Sequence, residues 1–206
     1  MTEAQQRETR ILFDYASRCA EQFVSLYYSA SDSPSRSQLI PTLYLDTSTI
    51  VWNGNPIQGV AGVAELVSRM PFTRYEVQSV DCHPMGGGQG GTGNAQGLQP
   101  PSLLLTVTGV VTHHTPSSHT ALPPSNAPAS GNSNKKSGPN NYDSSLPLES
   151  LPRGFSQNFV LVDDPAKRGE GGVVVSVEAG AGPKGGGTET LTGRYFVLAD
   201  EFRFVG

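Results

Sequence analysis

An α+β domain, with helices covering one face of an antiparallel sheet, is the fold class that the sequence predicts. One observation is the order of the periodic segments: two helical patterns, two short strands, a third helical pattern and then several long strands. Helices grouped ahead of a strand meander are typical of α+β domains. A second observation is the closing strand at 194–205, which carries apolar residues on both faces. A sheet with one solvated face should alternate between apolar and polar residues, so the outer face is expected to bind another protein.

The three helical patterns place apolar residues at three- and four-residue steps, which puts them on one helix face. The first pattern covers 4–29, the second is a short segment at 35–40, and the third covers 60–70 and is closed by Pro71. The apolar stripe of the first helix consists of Leu12, Ala16, Cys19, Phe23, Leu26 and Tyr27. We expect these stripes to pack on the sheet.

The strand patterns begin with a bent or interrupted strand at 43–52. Asn53-Gly54 follows it and predicts a hairpin turn, because this pair tolerates the positive φ of a tight turn, and a short return strand is expected at 57–59. Long strands rich in β-branched and aromatic residues are expected at 74–83, 102–113, 155–162 and 194–205. Together they predict an antiparallel meander after the third helix.

The closing strand supplies the candidate partner interface. Its expected core residues are Phe196, Leu198, Phe202 and Phe204, and its expected outward residues are Tyr195, Val197, Ala199, Glu201, Arg203 and Val205. Arg203 is either an ordinary exposed arginine or a guanidinium that a partner buries against a carboxylate, since an unpaired buried charge is costly. The predicted interface consists of Val197, Ala199, Glu201 and Arg203, together with Thr106, Thr108 and Val110 of the strand at 102–113. This alternation assumes a strand without a bulge.

A single domain at 1–206 is predicted, with three flexible insertions at about 84–101, 114–153 and 163–193. These segments are rich in Gly, Ser, Pro and Asn and bury too little apolar surface to offset the entropy cost of ordering them. Long loops between strands are tolerated because loop-closure entropy rises slowly with length. Only the run at 173–177 interrupts the third insertion with β-forming residues.

The composition argues against several classes of protein. A net charge of −4 disfavours a stand-alone nucleic-acid binder, because such binding depends on neutralising phosphates. The N-terminus is too polar for a signal peptide, and no apolar run approaches membrane-spanning length. Cys19 and Cys82 fit two reduced thiols. A soluble, intracellular protein without membrane contact is therefore expected.

Neither a cofactor nor a metal site is expected. The G-x-G-x-x-G pattern at 86–91 is followed by more glycine and by proline, whereas a phosphate-binding glycine motif needs a helix to begin there. His113, His114 and His119 have no cysteine or carboxylate at ligand spacing. An acid–base enzyme remains an alternative if the ionisable residues converge in a cavity between helices and sheet; these are Asp14, Tyr15, Asp46, Asp81 and His83.

Several short motifs occur in a fixed order along the chain. They are EQFVSLYY at 21–28, VWNGN at 51–55, VDCHP at 80–84, QNFVL at 157–161 and DEFRF at 200–204. In this order they resemble the nuclear transport factor 2-like family, and within it the small subunits of the general messenger-RNA export receptor. The long insertions resemble the fungal form of these subunits.

The resemblance implies a cone-shaped fold, with three helices on one face of a curved antiparallel sheet. It implies a non-catalytic subunit whose sheet pairs with a similar domain of the large subunit. The heterodimer would bind phenylalanine-glycine repeats of nucleoporins and carry messenger ribonucleoprotein through the nuclear pore, contacting RNA at most indirectly or weakly and shuttling between nucleus and cytoplasm. Arg203 matches the family arginine that pairs with an acidic residue of the large subunit. A homodimeric Ran-GDP import carrier ranks second, and the acid–base enzyme third.

Overall fold

Three helices and seven strands make up the described part of the chain, which in this computed structural model comprises residues 2–86, 99–114, 151–167, 171–179 and 189–205. The helices are α1 (Glu3–Ser31), α2 (Arg36–Leu39) and α3 (Gly59–Arg69), and a 3-10 turn at Ile40–Leu43 follows α2. The strands are β1 (Tyr44–Trp52), β2 (Asn55–Gln58), β3 (Phe72–Met85), β4 (Ser102–His114), β5 (Arg153–Asp163), β6 (Val173–Ala179) and β7 (Glu189–Phe204). The predicted α+β class is confirmed.

Helix α1 is the longest element over the sheet. Most of its predicted apolar stripe is buried in the core, but Leu26 is 43% exposed, so its expected packing on the sheet is wrong. The helix begins at a capping box, in which the Thr2 side chain and the Gln5 side chain each accept a hydrogen bond from the other residue's backbone N–H. Beyond its C-terminus, the Asp32 carboxylate accepts hydrogen bonds from the Thr73 hydroxyl (3.0 Å) and from the Tyr75 N–H (2.9 Å). These bonds tie the end of the helix to β3.

The sheet is mixed, with the strand order β2-β1-β7-β5-β4-β3. The expectation of a purely antiparallel sheet is wrong at one place, because β1 pairs with β7 in parallel. There the last strand, β7, returns to lie beside the first strand, β1. Register shifts at Gln78 in β3 and at Leu198 in β7 each insert one extra residue, which bends a strand and helps to curve the sheet.

The extra residue at Leu198 changes which residues of β7 face the core. Val160 of β5 pairs with Ala199, and the next residue, Leu161, pairs with Val197. Val197 and Tyr195 are therefore buried in the core, and their predicted outward orientation is wrong. Phe196 is also buried, but it does not belong to the core cluster and lies under Lys167 of the turn that follows β5. Phe202 faces the core as predicted, and Phe204 packs against its edge.

Part of the predicted third insertion is a β-hairpin arm. Strand β6 pairs with the first part of β7, from Val173 opposite Tyr195 to Ala179 opposite Glu189. Val173, Val175 and Val177 are buried in the core cluster. The prediction of a flexible loop is therefore wrong for 171–179 and 189–193. The other two predicted insertions lie mostly outside the described residues.

The core lies between the helices and the inner face of the sheet. Aromatic rings fill its centre, with Phe23 of α1 edge-on to Phe159 of β5 at 5.1 Å between ring centroids. At the end of β1, Trp52 stacks on Phe202 with centroids 4.0 Å apart. Fully buried aromatic side chains contribute the largest share of such a core. The helices occupy this face, so the opposite face is the one that the fold leaves open.

Candidate partner interface

The outer face of the sheet has no helix packed on it in the described part of the chain. Residues paired directly across strands point to the same face, so the register sorts this surface into rows. The first row is Thr49, Ala199, Val160, Leu104 and His83. The second is Val51, Glu201, Asn158, Thr106 and Asp81, and the third is Arg203, Ser156, Thr108 and Ser79. We refer to these three rows as the outer rows.

The centre of the outer rows is aliphatic and only partly exposed. Leu104, Val160 and Ala199 lie side by side across β4, β5 and β7, each with intermediate exposure, and Val51 of β1 is 39% exposed. Hydroxyl and amide side chains flank them in bonded pairs. Ser79 and Thr108 are joined at 2.6 Å, and the Thr106 hydroxyl donates to Asn158 Oδ1 at 2.8 Å. The surface is thus apolar at its centre, with two hydrogen-bonded polar pairs beside it.

Arg203 lies at the border of this surface. Its guanidinium donates a hydrogen bond to the carboxylate of Glu201, two residues earlier on the same face of β7. The two side chains are 59% and 42% exposed. An ion pair as exposed as this contributes little to folding stability. Both groups therefore keep their charges at the surface, where a partner can contact them.

Six of the seven residues of the predicted interface lie on the outer face: Ala199, Glu201, Arg203, Thr106, Thr108 and Val110. Their contact with a partner stays a prediction. Val197 does not belong with them, because it is fully buried on the inner face. Leu104 and Val160, which form the aliphatic centre, do not belong to the predicted interface. Leu104 could have been found, since it has the same parity in its strand as Thr106 and Thr108.

The interior of the cone contains a buried polar network around Asp200. The Tyr44 hydroxyl donates to Asp200 Oδ2 at 2.6 Å, and Gln157 Nε2 donates to Asp200 Oδ1 at 2.8 Å. Tyr27 and Tyr28 extend the network through bonds to Tyr44 (3.0 Å) and to Gln157 Oε1 (2.9 Å) respectively. Each oxygen of the carboxylate thus has a donor. Buried polar groups satisfied in this way rigidify a core.

Burial changes the acidity of this network. Removal from water raises the pKa of Asp200 to about 6, although the hydrogen bonds from Tyr44 and Gln157 act in the opposite direction. Beside Asp200 lies a cavity of about 30 Å³, lined also by Trp52, Tyr75 and Arg36. That volume is about the share of one water molecule in the liquid and is far below that of a small-molecule site.

The ionisable residues considered for acid–base catalysis do not converge. Asp14 forms an exposed pair with Arg18, and Asp46 lies near Lys167 with its side chain 82% exposed. Asp81 and His83 pair at 3.3 Å on the outer face. Tyr15 is buried on the opposite side of the sheet from them, in the core cluster. The carboxylate that does enter the interior, Asp200, was missed as a candidate, although its parity matches that of Phe202.

The cysteines are free and poorly reactive. Burial raises the pKa of Cys19 to about 12 and that of Cys82 to about 11, so neither is a thiolate at neutral pH. Within the described ranges, no group of three or more His, Cys, Asp or Glu is placed to hold a metal ion. His119 lies outside those ranges. No helix of the described chain has the length and apolar character needed to cross a membrane.

Comparisons with known proteins agree with this architecture. Residues 19–118 match the model of the nuclear transport factor 2 (NTF2) domain. NTF2-related export protein 2 of Bos taurus is 33% identical over 101 residues, which are 49% of this chain and 64% of the relative. Nuclear transport factor 2 of Emericella nidulans is 39% identical over 69 residues, covering 32% and 54%. The match thus spans less than two thirds of the length of these curated relatives.

A solved structure shares the fold. The Chaetomium thermophilum Mex67 NTF2-like domain complexed with Mtr2 aligns with a TM-score of 0.51 at 15% identity, covering 93% of this chain and 99% of that chain. At that identity the likeness shows the fold alone. The helices on one face of a curved mixed sheet give this chain the NTF2-like fold. Within that fold class, its sequence relatives include the NTF2-related export proteins.

Proposed function

We propose that this chain is the non-catalytic small subunit of a heterodimeric messenger-RNA export receptor and that its outer rows pack on an NTF2-like domain of the large subunit. The observation that carries the proposal is the aliphatic centre formed by Leu104, Val160 and Ala199, on which no helix of the described residues packs. An apolar surface surrounded by satisfied polar pairs is typical of a protein interface. The sequence relatives and the solved complex of an NTF2-like domain with Mtr2 support the choice of partner.

Arg203 has a defined role in this proposal. On association, its guanidinium would turn from Glu201 to a carboxylate of the large subunit, or would bind both. A charged pair at the border of an aliphatic interface fixes register and partner choice more than it adds affinity. The exposure of both side chains in the isolated chain supports this role, because neither charge has to leave a buried site first.

The wider function follows from the partner. As part of the heterodimer, the chain would support binding to phenylalanine-glycine repeats of nucleoporins and the passage of messenger ribonucleoprotein through the nuclear pore, and it would contact RNA indirectly or weakly. It would be found in the nucleus and at the pore and would shuttle to the cytoplasm. Its non-catalytic nature is supported by the self-satisfied network at Asp200 and by the small volume beside it.

The decisive experiment is co-expression with the large subunit of the same organism, followed by measurement of stoichiometry. We expect a complex with equal numbers of both chains. Val160→Asp should abolish it, because the substitution places an unpaired charge at the centre of the interface. Phe13→Asp is the matched control, since Phe13 is an exposed apolar residue on α1, away from the sheet. Equal loss for both variants, or normal binding by Val160→Asp, would overturn the proposal.

A homodimeric carrier of Ran-GDP is the second candidate, and the match to nuclear transport factor 2 of Emericella nidulans favours it. A carrier of this kind would use the outer rows against a second copy of itself. Sedimentation of the purified chain separates the two candidates. A stable homodimer that binds Ran-GDP would support the carrier, whereas a chain that forms a stable complex only with the large subunit supports the export subunit.

A further inference from the structure

Strand β6 ends the sheet with an open edge. It pairs with β7 along one edge, and no other strand of the described chain pairs with its second edge. The seven residues Val-Val-Val-Ser-Val-Glu-Ala contain no proline and no lysine, and their register with β7 is unbroken. Proteins often protect an edge strand with a proline, a lysine or a bulge, because its unpaired N–H and C=O groups can otherwise pair with another strand. Among the described residues, this edge has a single charged residue, Glu178, and no strand paired with it.

The hydrogen bonds of Arg194 show which backbone groups of β6 point outward. The Arg194 N–H donates to Asp163 Oδ1 at 2.7 Å, and its carbonyl accepts from the Asp164 N–H at 3.1 Å, both away from β6. Its partner in β6, Val174, therefore belongs to a pair that exchanges no backbone bonds, so the N–H and C=O of Val174 face the open edge. By the two-residue period of a strand, Ser176 and Glu178 do the same.

Gly172, two positions before Val174, supports the conclusion that these backbone groups of β6 point to the open edge. Gly172 has the same parity, and its N–H donates to the Thr42 carbonyl at 3.0 Å. Thr42 thus occupies the first position of a ladder that continues along the open edge. An added strand would take the next positions, at Val174 and beyond, and would have to turn aside before Thr42.

A groove opens at the place where that strand would turn aside. It has a volume of about 770 Å³, and Gly172 and Thr42 line it together with α1 and the segment after α2. Leu26 and Leu39 contribute exposed aliphatic side chains, at 43% and 44% exposure, and Leu43 lies at its floor. The backbone edge and the apolar groove therefore form one continuous surface.

We propose that this surface, the β6 edge with the adjoining groove, binds an extended segment of a partner protein by strand addition. The segment would run antiparallel to β6, the more stable arrangement, and its carboxyl end would place a large aliphatic or aromatic side chain in the groove. A second copy of this chain is a poor occupant, because pairing of two seven-residue edges buries much less than the roughly 1,200 Å² of stable interfaces. The site is separate from the outer rows and does not depend on the proposed function.

The test uses the full chain and a synthetic peptide, acetyl-Lys-Thr-Val-Thr-Val-Thr-Leu-amide, as the probe. At millimolar peptide, amide exchange should slow at Val174, Ser176 and Glu178, whose N–H groups face the edge, and should stay unchanged at Val173 and Val175, which already bond to β7. Val174→Pro should weaken binding by about tenfold, since it removes an outward N–H without removing a bond to β7. Val174→Ala keeps that N–H and should bind almost normally.

Leu39→Ser tests the groove separately and should weaken binding of the leucine-ended peptide but not of one ending in alanine. Because Leu39 is exposed, this variant stays informative if Val174→Pro does not fold. Absence of protection at Val174 and Ser176 in the wild-type chain would overturn the proposal. So would concentration-dependent self-association that Val174→Pro abolishes, because the edge would then bind a second copy.

Discussion

The two faces of the sheet are built from alternate residues of the same strands, yet they have opposite contents. The inner face carries large aromatic rings and one buried carboxylate, Asp200, whose hydrogen-bond partners are all inside the domain. The outer face carries small aliphatic and hydroxyl side chains, with Arg203 and Glu201 at the surface. The aromatic rings of the inner face fill the space between the helices and the sheet. The short side chains of the outer face would let a second sheet pack closely on it. The difference separates residues that determine folding from residues available for association.

The largest effect is expected on the free energy of unfolding, when a residue of the inner face is truncated and its neighbour on the outer face serves as the control. Phe202 is buried between Trp52 and Phe155, with ring centroids at 4.0 and 5.6 Å. Phe202→Ala should lower the free energy of unfolding by about 3–5 kcal/mol through lost contacts and the cavity that remains. Arg203→Ala, one residue further along, should change it by less than about 0.5 kcal/mol. Urea denaturation of both variants measures the contrast, and equal losses would mean that the two faces are wrongly assigned.

The next effect concerns association rather than folding. Arg203→Asp should weaken binding to the large subunit by about 3–5 kcal/mol, or two to four decades in Kd, because a carboxylate of the partner would be buried without its cation. The melting temperature of the isolated chain should stay unchanged, since Arg203 is exposed. Titration calorimetry with the purified partner provides the measurement. Arginine at the partner's acidic position should restore binding in part, and unchanged affinity of Arg203→Asp would place the interface elsewhere.

The third effect depends on pH and belongs to the inner face. Because burial raises the pKa of Asp200 from 3.8 to about 6, the folded state binds this proton more tightly than the unfolded state. The stabilisation that results is fully present below the unfolded pKa and is lost as the pH rises through the folded pKa. Asp200→Asn lacks this titration. Relative to the wild type, its unfolding free energy should therefore rise by about 2–3 kcal/mol from about pH 4 to about pH 7. A constant difference across that range would contradict the raised pKa.

The smallest effect is expected on the outer face. Ser79 and Thr108 share a hydrogen bond of 2.6 Å between exposed hydroxyls. Ser79→Ala should change the unfolding free energy by less than about 0.5 kcal/mol, because water replaces the lost partner. Thermal melting of the isolated chain measures this. Loss of more than about 1 kcal/mol would show that the outer face is already part of the folded core.

The sequence predicted where the helices and strands lie better than it predicted which of them pair or pack together. The turn at Asn53-Gly54, the start and end of α3 and the strands on both sides of the insertions follow from local patterns of apolar residues and turn formers. Strand β6 was visible as a β-forming run, but its glycine-rich surroundings predicted a loop. Its order depends on pairing with β7 and on packing below α1, and neither contact is local in sequence.

The candidate site shows the same limit. Arg203 and Glu201 were placed on the correct face by counting alternate residues backward from the end of β7. The count failed at Val197, because the extra residue at Leu198 shifts every position before it by one. A bulge is fixed by how β5 and β1 pair with β7 at the same time, and a strand pattern contains no record of those two registers.

By itself, the sequence determined the α+β class, the order of the elements other than β6 and many of the apolar residues that form the core, because hydrophobic periodicity and turn chemistry act over a few residues. Only the tertiary structure decided the parallel pairing of β1 with β7, the bulge at Leu198 and the convergence of Tyr44 and Gln157 on Asp200. These features join residues that are distant in the sequence, by 43 positions for Gln157 and Asp200 and by 156 for Tyr44 and Asp200. They exist because strands compete for the same edges and buried polar groups must find partners, and both conditions arise only when the whole sheet assembles.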